Sequence, residues 1–203
     1  CSMGLMGSLV SIGSVALQTA INTFGTDIIV AHTAARKVTE LFMLSFSVLG
    51  TTMATFCGQN LGAGEIGRIK KGIKTAIGMA WIWCIGVIIV TNLFAPAMIS
   101  MLTSSTKTEV VDTASLYLRI NTTLYFVTAM ITIIRNSMQG IGDRVTPIIS
   151  SMIELVGKVV IVIVLVPKLG YMGVIISEPI VWVLMVIPLI VQIIRTPILK
   201  EKA

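Results

Sequence analysis

Glu154 and Lys158 stand four positions apart in an otherwise apolar run, Pro147 to Val166. On a helix that spacing places a carboxylate and an ammonium on one face, within reach of each other. Counted from Pro147, Lys158 falls roughly 16 Å along the helix, near the middle of a bilayer. Glu178 stands beside Pro179 in a second apolar run, roughly 12 Å from its start. A proline there removes a backbone donor and frees a carbonyl, and charged groups inside membranes mark ion and proton pathways. Each feature also has a plainer reading. The Glu154–Lys158 pair is a proton or ion relay, or a neutralised structural bridge. Glu178 is a coupling carboxylate, or a kink residue satisfied by a neighbour. Arg119 lines a cavity or snorkels to the surface. Gln18, Asn22 and Asn121 are uncharged polar residues that line a pathway or bond across helices. Arg36 and Glu40 form another i,i+4 pair, closer to an interface and read as structural, as is the lone His32.

The elements that must hold these residues are membrane helices. Of the 203 residues, 55% are hydrophobic and 12% charged, and mean hydropathy is +0.97. Soluble domains carry about 25% charge. Apolar runs of roughly 20 residues recur along the chain, which calls for a polytopic helical bundle. We read six spans: Met3 to Phe24, Ile28 to Cys57, Ile73 to Met101, Val110 to Met138, Pro147 to Val166, and Met172 to Ile194. The first is rich in Gly and Ser, so it packs closely against protein. The second is roughly 45 Å long and outruns the hydrocarbon core. Pro96 marks a kink or an end of the third, and Trp81 and Trp83 fall where an interfacial belt belongs. Twelve methionines suit either a promiscuous apolar surface or ordinary packing.

Orientation follows from the basic residues. Arg68, Lys70, Lys71, Lys74, Arg135, Arg144, Arg195, Lys200 and Lys202 fall to one set of loops, Lys107 and Lys168 to the other. The positive-inside rule makes the first set cytoplasmic and, with six spans, puts both termini inside; the expected setting is a bacterial plasma membrane. The net charge of +6 is explained by topology and calls for no nucleic-acid partner. Cys1, Cys57 and Cys84 have no metal spacing and read as free thiols. A start at Cys1, with no signal peptide, reads as a fragment that begins inside a longer chain.

Several familiar patterns fail on context. Gly62-x-Gly64-x-x-Gly67 mimics a dinucleotide fingerprint, but it follows a helix, and no acidic residue lies about 20 positions on. Gly67 to Gly72 begins like a phosphate loop, but Ile73 replaces its lysine. Asn121-Thr-Thr123 is a formal glycosylation sequon inside a span. One histidine without an HExxH or a Ser/His dyad gives no hydrolase, so no enzyme, cofactor or metal site is expected. The stretch Gly58, Gln59, Asn60, Leu61, Gly62, Ala63, Gly64 reads as a tight turn between spans, with Arg68, Lys70, Lys71 and Lys74 behind it meeting anionic lipid headgroups.

Three segments together resemble the multidrug and toxic compound extrusion (MATE) family, in its C-terminal half. They are Ile29-Val-Ala-His32, the Gly58 to Gly64 turn with Arg68 and Lys71-Gly72, and Arg135-Asn-Ser-Met-Gln-Gly-Ile-Gly-Asp143. The resemblance covers essentially the whole chain. It implies a twelve-helix transporter of two pseudo-symmetric six-helix lobes, with this chain as the second lobe and the N-terminal lobe as its missing partner. It further implies export of cationic, drug-like small molecules in exchange for Na⁺ or H⁺, and a membrane lipid environment. Some members couple through acids on the first and fourth helices of this lobe. Here the first helix has no acid, and the matching region of the fourth reads Phe126-Val-Thr-Ala-Met130.

Two other readings compete with the exporter. One is a lipid-linked oligosaccharide flippase of the same plan, which needs several cavity-facing cations; only Arg119, Lys158 and Arg36 qualify. The other is a non-transporting membrane subunit.

Overall fold

The computed structural model describes residues 2–103 and 107–196. Lys200, Lys202, Cys1 and part of the Thr103 to Thr108 loop lie outside the described residues. The described chain is helical throughout: α1 (Ser2–Ile21), α2 (Thr26–Gly62), α3 (Ile66–Leu102), α4 (Thr108–Thr123), α5 (Tyr125–Gly140), α6 (Val145–Val164), α7 (Val166–Leu169) and α8 (Tyr171–Arg195). Four of these, α2, α3, α6 and α8, are long and apolar enough to cross a membrane, and α4 with α5 makes a bent fifth. In α1 the segment Met6–Ile21 is a shorter apolar helix.

The helices form one lobe around two apolar clusters. Phe46, Ile69, Ile73, Tyr125, Ile133 and Met138 anchor one. Ile21, Ala35, Ile99, Tyr117, Leu118 and Ile175 anchor the other. The α2–α3 turn, the α5–α6 loop and the end of α8 share one end of the lobe. There Gly58 approaches the Gly140 carbonyl, and Gln192 Nε2 donates to Asp143 Oδ2 at 3.4 Å. Asp143 also accepts from the backbone N–H of Val145 and Thr146 at 3.0 and 3.1 Å, which satisfies two of the free donors that open α6. At the opposite end Lys107 pairs with Asp27 at 2.7 Å, and Phe24 meets Tyr171 edge-on.

Three expectations about local structure change. The glycine-rich stretch is not a turn over its whole length. α2 continues through Gly62, so Gly58, Gln59 and Asn60 are helical, with Asn60 Nδ2 donating back to Phe56 O at 2.8 Å. The reversal is confined to Ala63, Gly64 and Glu65, and Gly64 (φ 75°) supplies the left-handed backbone it needs. The fourth span is not one straight helix but two, bent by 53° between α4 and α5. No proline lies there. Instead Asn121, Thr122 and Thr123 each bond back to the carbonyl four residues earlier, which competes with the helix ladder and bends it. Arg135 is not a loop residue, because α5 runs on to Gly140 and leaves it inside the helix with an 18% exposed side chain. Pro96 lies within α3, which continues to Leu102.

The small residues of α1 pack on α6 only in part: Gly4, Gly7, Ser8 and Ser11 are exposed, and the close approach is confined to Gly13 and Ser14. Gly13 is buried where a Cβ would touch Lys158 Cδ at 3.3 Å and the Leu155 backbone at 3.4 Å.

Candidate functional site

Glu178 is buried in the interior of α8, 5% exposed, and both of its oxygens are engaged. Arg36 of α2 donates through Nη1 to Oε1 at 2.6 Å, and Tyr117 of α4 donates its hydroxyl proton to Oε2 at 2.8 Å. Three helices thus converge on one carboxylate. Sequence spacing had assigned Arg36 to Glu40. That contact is present but long, 4.0 Å, and Glu40 is 68% exposed. The shorter bond goes to the buried partner, because a buried carboxylate is costly unless a cation and hydrogen bonds compensate it. Arg36 therefore lies between a buried acid and a solvated one, 35% exposed itself.

His32 sits one helical turn before Arg36 and is buried. Its Nδ1 lies 3.0 Å from the Tyr171 hydroxyl, and its ring meets Tyr117 and Tyr171 edge-on. A cavity of about 60 Å³ opens beside this group, lined by Ser14, Gln18, His32, Arg36 and Glu178 with Leu17 and Ile21. It is polar and holds more than one water's volume. Larger hollows occur elsewhere on the lobe, but they lack buried acids.

Glu154 forms a second cluster on α6. Lys158 donates to Oε1 at 2.9 Å on the same face, as the i,i+4 spacing requires, and Arg135 of α5 approaches Oε2 at 3.7 Å. Lys158 Nζ also reaches Ser14 Oγ at 3.4 Å. Ser14 also lines the cavity beside Glu178, so Ser14 and Lys158 link the clusters. The asymmetry of this triad yields a prediction. Glu154→Leu strands two cations in a dry interior and should lower stability by about 3–5 kcal/mol. Lys158→Met leaves Glu154 with Arg135 and should cost clearly less. Thermal unfolding of the detergent-solubilised full-length protein would rank the two, and an equal loss would contradict this account.

The remaining sequence candidates are placed as follows. Gln18 and Asn22 are exposed and bonded to each other at 3.0 Å, with Gln18 at the cavity. Asn121 is fully buried at the α4–α5 break, where its Nδ2 donates to Tyr117 O and Ile175 O. Arg119 is exposed on α4. Tyr117 and Tyr171 were not anticipated. They lie 61 and 139 positions from their partners, and a tyrosine in an apolar run carries no local sign that its hydroxyl meets an acid or a histidine.

The MatE family model matches residues 3–165. This chain belongs to the MatE family. Probable multidrug resistance protein YoeA of Bacillus subtilis (strain 168) is 24% identical over 149 residues, which cover 73% of this chain and 32% of that protein. A crystal structure of MATE in the bent conformation superposes with a TM-score of 0.87 at 14% identity, over 100% of this chain and 46% of that one. Another, of MATE in complex with MaD3S, gives 0.87 at 16% identity, over 99% and 46%. The chain thus spans about a third of that curated relative and under half of those solved chains. Within the MatE fold it is an all-helical, multi-pass lobe, and among the described residues two acids, Glu154 and Glu178, are buried and paired with cations.

Proposed function

We propose that this MatE chain is one lobe of a secondary-active exporter of cationic, drug-like compounds, and that export is coupled to protons through Glu178. The observation that carries the reading is the placement of Glu178: buried, next to Pro179 within the continuous helix α8, beside a small polar cavity, and shared between Arg36 and Tyr117. Protonation there cancels the charge that holds Arg36. Arg36 already has a second carboxylate, Glu40, within 4.0 Å, so losing Glu178 leaves it a partner on the exposed side. A group with two available partners is a two-state element that a proton can bias.

A proton fits this lobe better than Na⁺. A sodium ion at Glu178 or Glu154 would have to displace or sit against a guanidinium or an ammonium within 2.9 Å of the carboxylate, and like charges at that range repel strongly. A proton neutralises the acid without adding a charge the cation must oppose. The exporter reading is also supported over the flippase. Arg36 and Lys158, two of the cations a pyrophosphate would require, are committed to Glu178 and Glu154. The membrane is taken to be a bacterial plasma membrane, with the basic end of the lobe cytoplasmic.

The test is efflux of a fluorescent cation from proteoliposomes holding the full-length protein, driven by a proton or a sodium gradient. Wild type should respond to the proton gradient, and Glu178→Gln should still bind the compound yet no longer couple its movement to protons. Sodium-driven efflux that survives Glu178→Gln and Glu154→Gln would place coupling outside this lobe.

A further inference from the structure

The α2–α3 hairpin carries a feature that coupling does not use. Between the last turns of α2 and the first turns of α3 runs an open groove of about 380 Å³. Its body is Leu49, Met53, Phe56, Ala76 and Met79, and its rim at the basic end of the lobe is Arg68 and Lys71. A second apolar hollow of about 390 Å³, with Phe42, Ile82 and Val90, shares Met79 and continues the trough along the same helix pair. From Arg68 to Met79 the first groove follows α3 for about 16 Å, the depth of one leaflet of a hydrocarbon core about 30 Å thick.

We propose that this trough binds an anionic glycerophospholipid, with its phosphate between Arg68 and Lys71 and an acyl chain lying along Met53, Phe56 and Met79. Charge complementarity selects this occupant. The apolar body ends in cations, and it lies on two long membrane-spanning helices, where the headgroup level of the bilayer meets their basic end. Arg68 touches one acid, Glu65, at 3.7 Å, and both side chains are more than half exposed, so the pair is weak and leaves the guanidinium able to turn to a phosphate. Lys74 adds a further exposed cation one turn beyond Lys70. The floor is shaped by Gly72. Any Cβ there would collide with the Phe56 ring, so glycine lets that ring pack close against α3. Lipid in this position bridges α2, which carries Arg36, to α3.

The experiment is native mass spectrometry of the full-length protein released from mixed phosphatidylglycerol and phosphatidylcholine nanodiscs. Wild type should retain phosphatidylglycerol in preference to phosphatidylcholine. Arg68→Gln with Lys71→Gln should reduce that preference about thirty-fold, the equivalent of about 2 kcal/mol for two headgroup cations. Lys168→Gln, at the other end of the lobe, should leave it unchanged. Gly72→Ala keeps every charge but pushes Phe56 into the trough, and it should lower retention of both lipids. Equal retention of the two lipids by wild type, or an unchanged preference in the double variant, would overturn the proposal. So would a loss as large in Lys168→Gln, which would mean net charge rather than a site.

Discussion

Replacing Arg36 with methionine should destabilise the full-length protein by about 3–5 kcal/mol, and replacing Glu178 with glutamine in the same molecule should restore most of that loss. The asymmetry of exposure is the reason. Glu178 has a side chain 7% exposed and draws its charge compensation from Arg36, with one hydroxyl bond from Tyr117. Without the guanidinium the carboxylate is a buried charge with only a small polar cavity beside it. Arg36 is 35% exposed and has Glu40 at 4.0 Å, so Glu178→Gln alone leaves a cation that can turn outward. The single variants should therefore be unequal, Arg36→Met well above Glu178→Gln, and their double-mutant cycle strongly non-additive. Thermal unfolding in detergent reads all four corners of the cycle. Equal single effects, or a double variant as weak as the sum of both, would mean that the 2.6 Å pair is not a stability element.

The second large effect is expected at Gly140. A Cβ there would run into the Ala54 carbonyl and lie 3.0 Å from Cys57 Cβ, so the end of α5 rests directly on the α2 backbone. Backbone cannot yield as a side-chain tip can. Gly140→Ala must force the helices apart, at a cost of at least about 1–3 kcal/mol, the usual range for overpacking. The comparison is Gly78→Ala on the exposed face of α3, where nothing lies within 4 Å of an added Cβ. There the substitution should be neutral or stabilise by up to about 1 kcal/mol through helix propensity. Melting temperatures of the two purified variants would separate close approach from a general intolerance of alanine, and a stable Gly140→Ala would refute the contact.

Hydropathy requires only a count along the chain, and continuous apolar runs can satisfy their backbone groups in lipid only as helices. Membrane helices were therefore legible, and so was the segregation of basic residues to one end. The Glu154–Lys158 pair was legible too, because both groups belong to one helix whose geometry is known in advance. The three segments around His32, Gly58 and Arg135 were enough to suggest the family.

Tertiary structure decided everything that depends on two helices meeting. Arg36 has an acid one turn away and another 142 positions away, and only packing reveals that the distant one is buried and therefore binds more closely. Arg135 looked like a topology marker, until α5 carried it to Glu154. The break at Asn121 to Thr123 was not read from the residues, because three hydroxyl and amide groups can equally face a partner helix or bond their own backbone. Gly58 was read as a turn residue and Gly140 fell outside the fourth span, yet both are helical and lie at a helix crossing. Glycine is required both where the backbone reverses and where two backbones touch, and a linear sequence does not distinguish the two until the partner helix is in place.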